Sequence, residues 1–206
     1  MTASSNRSVT IFDAGHGVGP TLAALLSDAG FAVRRDGSMA DSGAVIFNAS
    51  ALDEPKLLAE GLLADAVAAD GAAFLERLQA ASRAMIERGG GQIWVLAPDD
   101  SFSYYLPLPA APVTHHTRIG AIRALAKEAS RFGVFANAAV FQPVAEMAGP
   151  AAWGAARTGI GSYAQKFKPF ALAAMAETLA FWLSRDTLPM NGSILHFGSG
   201  VYDGNF

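Results

Sequence analysis

Three glycines follow the first apolar run of the chain in a pattern that could bind a nucleotide. Residues 9–12 read VTIF, and the segment AGHGVGP after them contains Gly15, Gly17 and Gly19. Glycines let the backbone approach a pyrophosphate closely, and the amides at the start of the next helix would face it. The alternative is a tight strand-to-helix turn that binds no nucleotide.

Two arginines close the second apolar run. Arg34 and Arg35 follow residues 31–33, where basic side chains could bind the 2′-phosphate of NADP. Solvated surface charges are the alternative reading of the same pair.

Side chains that could exchange a proton cluster between residues 98 and 116. They are Asp99, Asp100, Tyr104, Tyr105, His115 and His116. A phenol, an imidazole or a carboxylate in this segment could act as a general acid or base. The alternative is that the tyrosines pack in a proline-rich loop. The histidines would then be polar residues at a helix N-terminus, where positive charge is disfavoured.

The elements that would position these residues alternate between strand and helix. The apolar runs predict strands at residues 9–12, 31–33, 44–47, 92–97, 134–141 and 193–197. Helical periodicity predicts helices at residues 21–29, 53–88, 114–132 and 168–184, with Gly71 as a break and Thr114 as a cap. This order predicts a single α/β domain over residues 1–206, a Rossmann-like three-layer sandwich with a mostly parallel sheet.

The connection between the second and third predicted strands is unusually short. Residues 36–43 are polar and glycine-rich, and parallel strands usually need a crossover of about a dozen residues or more. Eight residues cannot supply a helix, a strand and a second crossover. The sequence therefore predicts a sheet shortened by about one β-α unit at the edge where the adenine of a dinucleotide would lie.

Composition narrows the function classes. Hydrophobic residues make up 51% of the 206 and charged residues 16%, which predicts a folded core. A net charge of -3 gives no basic face for nucleic acid, and the absence of cysteine excludes disulfides and thiolate metal sites. No apolar run reaches the ~20 residues that span a bilayer. We expect a cytoplasmic protein that binds neither nucleic acid nor membrane nor metal.

Several segments resemble the short-chain dehydrogenase/reductase (SDR) family, in the same order along the chain. AGHGVG is similar to the end of the family's TGxxxGxG loop, and FNAS at residues 47–50 is similar to its NNAG. GGGQIWVLA at 89–97 resembles the strand before the catalytic serine. IRALAKEASRFGVFANAAV at 122–140 resembles LTRALAKELAPxGIRVNAV, and NGSILHFGSG resembles the C-terminal strand.

This resemblance places the family's catalytic residues on positions without the matching chemistry. The serine aligns with Pro98, the tyrosine with Ala111, the lysine with His115 and the asparagine with Asp70. In the family, the tyrosine is the acid/base, the lysine lowers its pKa, and the serine orients the carbonyl. We expect no catalytic residue in this chain.

The cofactor positions are altered in the same way. The first glycine of the family's loop aligns with Asp13, whose carboxylate would face a pyrophosphate. Relict cofactor-binding positions are Gly15, Gly17, Gly19 and Asn48. We expect the chain to bind no NAD(P) itself.

The resemblance implies a catalytically degenerate subunit that assembles with an active SDR chain. The pair would be a heterodimer or heterotetramer in which the partner binds NAD(P). The substrate would be an alcohol or a ketone, and an acyl-CoA is one candidate. The family offers a parallel in the dehydrogenase for 2-[hydroxy(phenyl)methyl]succinyl-CoA, which pairs a degenerate subunit with an active one. SDR chains associate through two long helices, here about residues 70–88 and 114–132, and through the C-terminal strand. A charge at Ile122 or Ala126 is therefore expected to disrupt assembly.

Two alternatives remain open. The first is a divergent active NAD(P)-dependent oxidoreductase that uses one of the acid/base candidates named above. The second is a homo-oligomeric pseudoenzyme that binds a nucleotide or metabolite at the glycine loop. Five aromatic residues are predicted to be core or interface residues: Phe141, Trp153, Phe167, Phe170 and Trp182.

Overall fold

The computed structural model describes residues 7–39, 41–99, 109–147, 151, 154 and 171–198. Its strands are β1 (Ser8–Phe12), β2 (Ala32–Arg35), β3 (Ala44–Phe47), β4 (Gly91–Pro98), β5 (Val134–Phe141) and β6 (Ile194–Phe197). Its helices are α1 (Gly19–Asp28), α2 (Glu54–Ala59), α3 (Leu63–Arg88), α4 (Pro112–Ala129) and α5 (Leu172–Leu183). Short 3-10 turns lie at Ser130–Phe132 and Ala145–Met147.

All six strands form one parallel sheet. The strand order is β2-β1-β3-β4-β5-β6, and β4 and β5 pair along their whole length of eight residues. The apolar, β-branched composition of the central strands suits a sheet that is covered on both faces. The predicted α/β sandwich with a mostly parallel sheet is confirmed.

Among the described residues, no strand lies beyond β2, where the doubly wound order 3-2-1-4-5-6 has one. Residues 36–43 run from the end of β2 to the start of β3, and no strand or helix is assigned to those of them that the structure describes. Eight residues suffice because β2 and β3 are only four residues long, so the chain has little distance to travel back. The predicted loss of about one β-α unit is confirmed.

Two apolar cores lie on the two faces of the sheet. On one face, α1 and α5 pack through Leu22, Leu26, Met175 and Leu179. On the other face, α3 and α4 pack against the strands, and one stripe of α3 is buried. That stripe consists of Phe74, Leu78, Ala81 and Met85.

Several predicted boundaries are wrong. The break between α2 and α3 lies at residues 60–62, where Gly61 takes a left-handed φ of 74°, and Gly71 lies inside α3. A glycine inside a helix costs only about 1 kcal/mol, and the packing of this 26-residue helix outweighs that cost. Helix α4 begins at Pro112, so Thr114 is in its first turn and is not its N-cap.

Candidate functional site

The carboxyl ends of the central strands border two clefts. One has a volume of about 270 Å³ and lies among the loops that follow β1, β3, β4 and β5. It is called the loop cleft here, and His16, Gly17, Ser50, Pro98 and Glu146 contribute to it. The other has a volume of about 360 Å³, lies beside α4, and is called the α4 cleft. In open α/β sheets, ligands bind at this end of the strands.

The glycine loop is held by Asn48. The Nδ2 atom of Asn48 donates hydrogen bonds to the carbonyls of Asp13 and His16, both at 2.9 Å. A Cβ on Gly19 would lie 2.8 Å from this Nδ2 and from the Ala14 carbonyl oxygen, so only glycine fits there. Gly17 takes a left-handed φ of 55°, whereas space is open around Gly15. The structure thus brings the predicted relict residues together, with the Asn48 amide bound to backbone.

Asp13, at the start of the glycine loop, is bound by other residues of the chain. Asp13 has a left-handed φ of 56°, a conformation that glycine adopts more readily. Its Oδ1 lies 2.9 Å from Nη1 of Arg77 on α3, and its amide donates to Oδ1 of Asp36 at 2.6 Å. The Arg77 guanidinium lies 5.6 Å from the centre of the Phe12 ring. The carboxylate predicted to face a pyrophosphate therefore pairs with an arginine of the same chain.

The two arginines that end β2 show no arrangement specific to a phosphate. Arg34 lies 3.5 Å from Asp41, and both side chains are exposed. Arg35 is also exposed. The reading as solvated surface charges fits both residues.

The predicted catalytic positions lie on β4, α3 and the start of α4. Pro98 ends β4 and borders both clefts. Ala111 directly precedes α4 and is 1% exposed, and His115 is in the first turns of α4 and is 2% exposed. Asp70 lies on α3 and binds another helix. Pro98 and Ala111 offer no proton that a reaction could use.

A buried arginine on α4 organises the region around Asp70. Arg118 is 3% exposed, and its guanidinium donates to both carboxylate oxygens of Asp70 at 2.9 Å. It also donates to the carbonyl of Asn48 at 2.9 Å and lies 5.0 Å from the centre of the Phe74 ring. Ser50 donates to Asp70 at 3.1 Å. The residue at the family's asparagine position is thus one partner of a buried ion pair that joins β3, α3 and α4.

Sequence reasoning did not identify this ion pair. Arg118 lies on the inward stripe of α4 with Ile122 and Ala126, where a charge is expensive unless it is paired. An arginine on a buried stripe indicates that a carboxylate lies buried beside it. The sequence does not indicate which carboxylate of the chain that is.

Glu54 is a second unpredicted polar residue. It is 3% exposed although it stands at the start of α2. Its carboxylate accepts hydrogen bonds from the amides of Val113 and Thr114 and from the Thr114 hydroxyl, at 2.8 to 2.9 Å. Ala111 at the N-cap has no side chain to bind these amides, so Glu54 caps α4 from another element.

Half of the acid/base candidates can be located. Asp99, His115 and His116 border the α4 cleft, and Nδ1 of His116 lies 2.8 Å from the Pro112 carbonyl oxygen. Asp100, Tyr104 and Tyr105 lie outside the described residues. No group of three metal-binding side chains is found in the described part of the chain.

Two of the five aromatic residues can be assigned. Phe141 is fully buried, and Trp182 packs partly buried against the α1–α5 core. Trp153, Phe167 and Phe170 lie outside the described residues. None of the helices in the described ranges is long and apolar enough to cross a membrane.

Solved structures with the same fold include several SDR enzymes. A short-chain type dehydrogenase/reductase from Mycobacterium ulcerans is 15% identical, with a TM-score of 0.68 over 92% of this chain and 87% of that chain. An SDR-family oxidoreductase from Burkholderia thailandensis is 22% identical, with a TM-score of 0.66 over 97% of this chain and 94% of that one. A variant of actinorhodin polyketide ketoreductase, solved with NADPH, is 18% identical, with a TM-score of 0.66 over 98% and 100%.

No protein-family model and no curated protein matches this sequence. At identities of 15 to 22%, the structural likeness establishes architecture and leaves activity open. The chain has the fold of the short-chain dehydrogenases/reductases.

Proposed function

We propose that this chain is a catalytically degenerate subunit that assembles with, and supports, an active SDR dehydrogenase. The partner binds NAD(P) and acts on an alcohol or ketone, with an acyl-CoA as one candidate class. The observation that carries the proposal is that the residues aligned with the catalytic positions lack the chemistry of the family. Pro98 and Ala111 carry no acid or donor, and Asp70 is bound by Arg118.

The cofactor region supports the same proposal. A dinucleotide needs a wall of protein around its adenine beside β2 and donors for its phosphates. Among the described residues no strand lies beyond β2 to form that wall, and Asp13 pairs with Arg77 next to the glycine loop. The residues present do not fit a dinucleotide, so no hydride-transfer step is assigned to this chain.

The outer face of α3 supports assembly. Ala64, Ala68, Ala69, Ala72 and Ala73 are exposed on this helix, and Asp65 is the one charged residue that is exposed between positions 64 and 73. The exposed residues of the adjoining α4 include Val113, Thr117 and Ala124, and also the charged Arg123, Lys127 and Glu128. The face with few charges is therefore the N-terminal part of α3, and such a face suits burial against another protein because interface cores are depleted of charge.

The expected probes of assembly require correction. Ile122 is fully buried and Ala126 is 5% exposed, and both belong to the core between α4 and the sheet. A charge at either position would unfold the domain instead of testing an interface. Exposed alanines such as Ala72 are the appropriate positions.

Cofactor titration tests the proposal on the isolated chain. We expect no saturable binding of NADH or NADPH by calorimetry up to about 1 mM, and no NAD(P)-dependent turnover. In a complex with its partner, turnover should be lost on mutation of the partner's tyrosine and kept in His115→Gln of this chain. Micromolar cofactor binding, or turnover by the isolated chain, would contradict the proposal.

A divergent active enzyme is the second candidate. The observation in its favour is that Asp99, His115 and His116 border one cleft. Turnover by the isolated chain that His116→Gln abolishes would establish it.

A further inference from the structure

The α4 cleft has the build of a small-molecule site. Its volume of about 360 Å³ lies within the range of roughly 300–1,000 Å³ usual for ligand pockets. The side chains of Ala97, Val140, Ile119 and Ile194 give it an apolar lining from β4, β5, α4 and β6. It shares only Pro98 with the loop cleft, so it is separate from the cofactor region.

Nitrogen-bearing side chains complement this apolar lining. His115, His116 and Arg123 reach the cleft from α4, and His196 reaches it from β6. Asp99 is the one carboxylate among the lining residues that the structure describes. Arg123 contributes a cation, and each histidine ring can donate a hydrogen bond, so the cleft offers several donors to an anionic ligand.

Arg123 is the cation available to such a ligand. It is exposed, and its guanidinium makes no ion pair or hydrogen bond with any residue that the structure describes. The other arginine of α4, Arg118, is already paired with Asp70. A guanidinium presents a planar pair of donors that matches a carboxylate in bidentate fashion.

We propose that the α4 cleft binds a small organic carboxylate, with the carboxylate on Arg123 and the hydrocarbon body on the lining formed by Val140 and Ile194. Phosphate or sulfate would satisfy Arg123 and leave the apolar lining unused. This inference goes beyond the proposed function and does not depend on a partner chain.

Calorimetric titration of the full chain with benzoate tests the inference, with benzyl alcohol as the neutral analogue of similar shape. We expect saturable binding of benzoate and at least about tenfold weaker binding of the alcohol, because a charge-assisted hydrogen bond contributes that much. Arg123→Gln should weaken benzoate binding at least about tenfold. Arg131→Gln is the matched control, because Arg131 lies on the Phe132 ring and outside the cleft.

A second variant separates binding from misfolding. Gly120 borders the cleft, and no atom of the described residues lies within 4 Å of where its Cβ would be. Gly120→Leu should therefore obstruct the cleft and abolish benzoate binding, while leucine's higher helix propensity keeps or raises the melting temperature. The inference is overturned by any of three results. These are no saturable binding up to about 50 mM, equal binding of benzoate and its alcohol, or unchanged binding in folded Arg123→Gln.

Discussion

The two halves of the parallel sheet differ in the length of their strands and helices. The half with β4 and β5 is called the long side here, and the half with β1 and β2 is called the short side. Strands β4 and β5 are eight residues long and carry helices of 26 and 18 residues. Strands β1 and β2 have five and four residues, α1 has ten, and a loop replaces a β-α unit. The long side contains the helices proposed for assembly, and the short side contains the glycine loop. The shortening of the fold by about one β-α unit thus lies at the edge of the sheet nearest the glycine loop.

Polar residues near the altered site show the same contrast. Asn48 binds the backbone of the glycine loop, Asp13 binds Arg77, and Asp70 binds Arg118. Each of these side chains stands at a position that the family uses for cofactor or catalysis, and each is bound within the chain here. These hydrogen bonds and ion pairs join the glycine loop, α3 and α4 to one another.

The largest expected effect comes from breaking the buried ion pair on the long side. Arg118→Met leaves Asp70 without its charged partner, at a site where the arginine side chain is only 4% exposed. We expect a loss of about 3–5 kcal/mol in the free energy of unfolding, measured by urea denaturation. The double variant Arg118→Met/Asp70→Leu should recover most of that loss. A single variant that unfolds at the urea concentration of the unchanged protein would show that the pair does not join these elements.

A charge on the outer face of α3 probes assembly on the same side. Ala72→Glu should weaken association with the partner by about 100-fold, because an unpaired charge in an interface costs roughly 2–5 kcal/mol. Native mass spectrometry of the complex measures this loss. The melting temperature of the isolated chain should stay unchanged, since Ala72 is exposed. Ala174→Glu, at an exposed position of α5, is the matched control. Equal assembly of both variants would remove α3 from the interface.

The smallest expected effect is on the short side, at Asp13. In an Arg77→Ala background the ion pair is absent, so Asp13→Gly relieves only the left-handed backbone strain. We expect a gain of about 1 kcal/mol in the free energy of unfolding. Asp65→Gly, in the first turn of α3, should instead lose about 0.5–1 kcal/mol. A loss at Asp13 as well would mean that its side chain stabilises the loop by another contact.

Much of the fold could be predicted because its signals are local. The apolar runs of β3 and β5 gave their strand boundaries directly, and the eight-residue connection predicted the shortened edge. The error at Gly71 has a physical cause, because tertiary packing of α3 outweighs a single unfavourable residue.

The contacts within the candidate site could not be predicted in the same way. Glu54 caps a helix 59 residues further along the chain, and Arg118 pairs with Asp70 across 48 residues. Sequence periodicity reports which face of an element is buried, and it carries no information on which distant residue lies opposite. The alignment with catalytic positions therefore identified Asp70 as altered without indicating its role in a buried ion pair.

The most direct measurement is the native mass and composition of the protein isolated from its own cells. The account predicts a complex that contains a second chain with an intact SDR serine, tyrosine and lysine, and with NAD(P)-dependent turnover. Isolation of this chain alone, as a monomer or as a homo-oligomer, would contradict the account and make its own clefts the place to look for function.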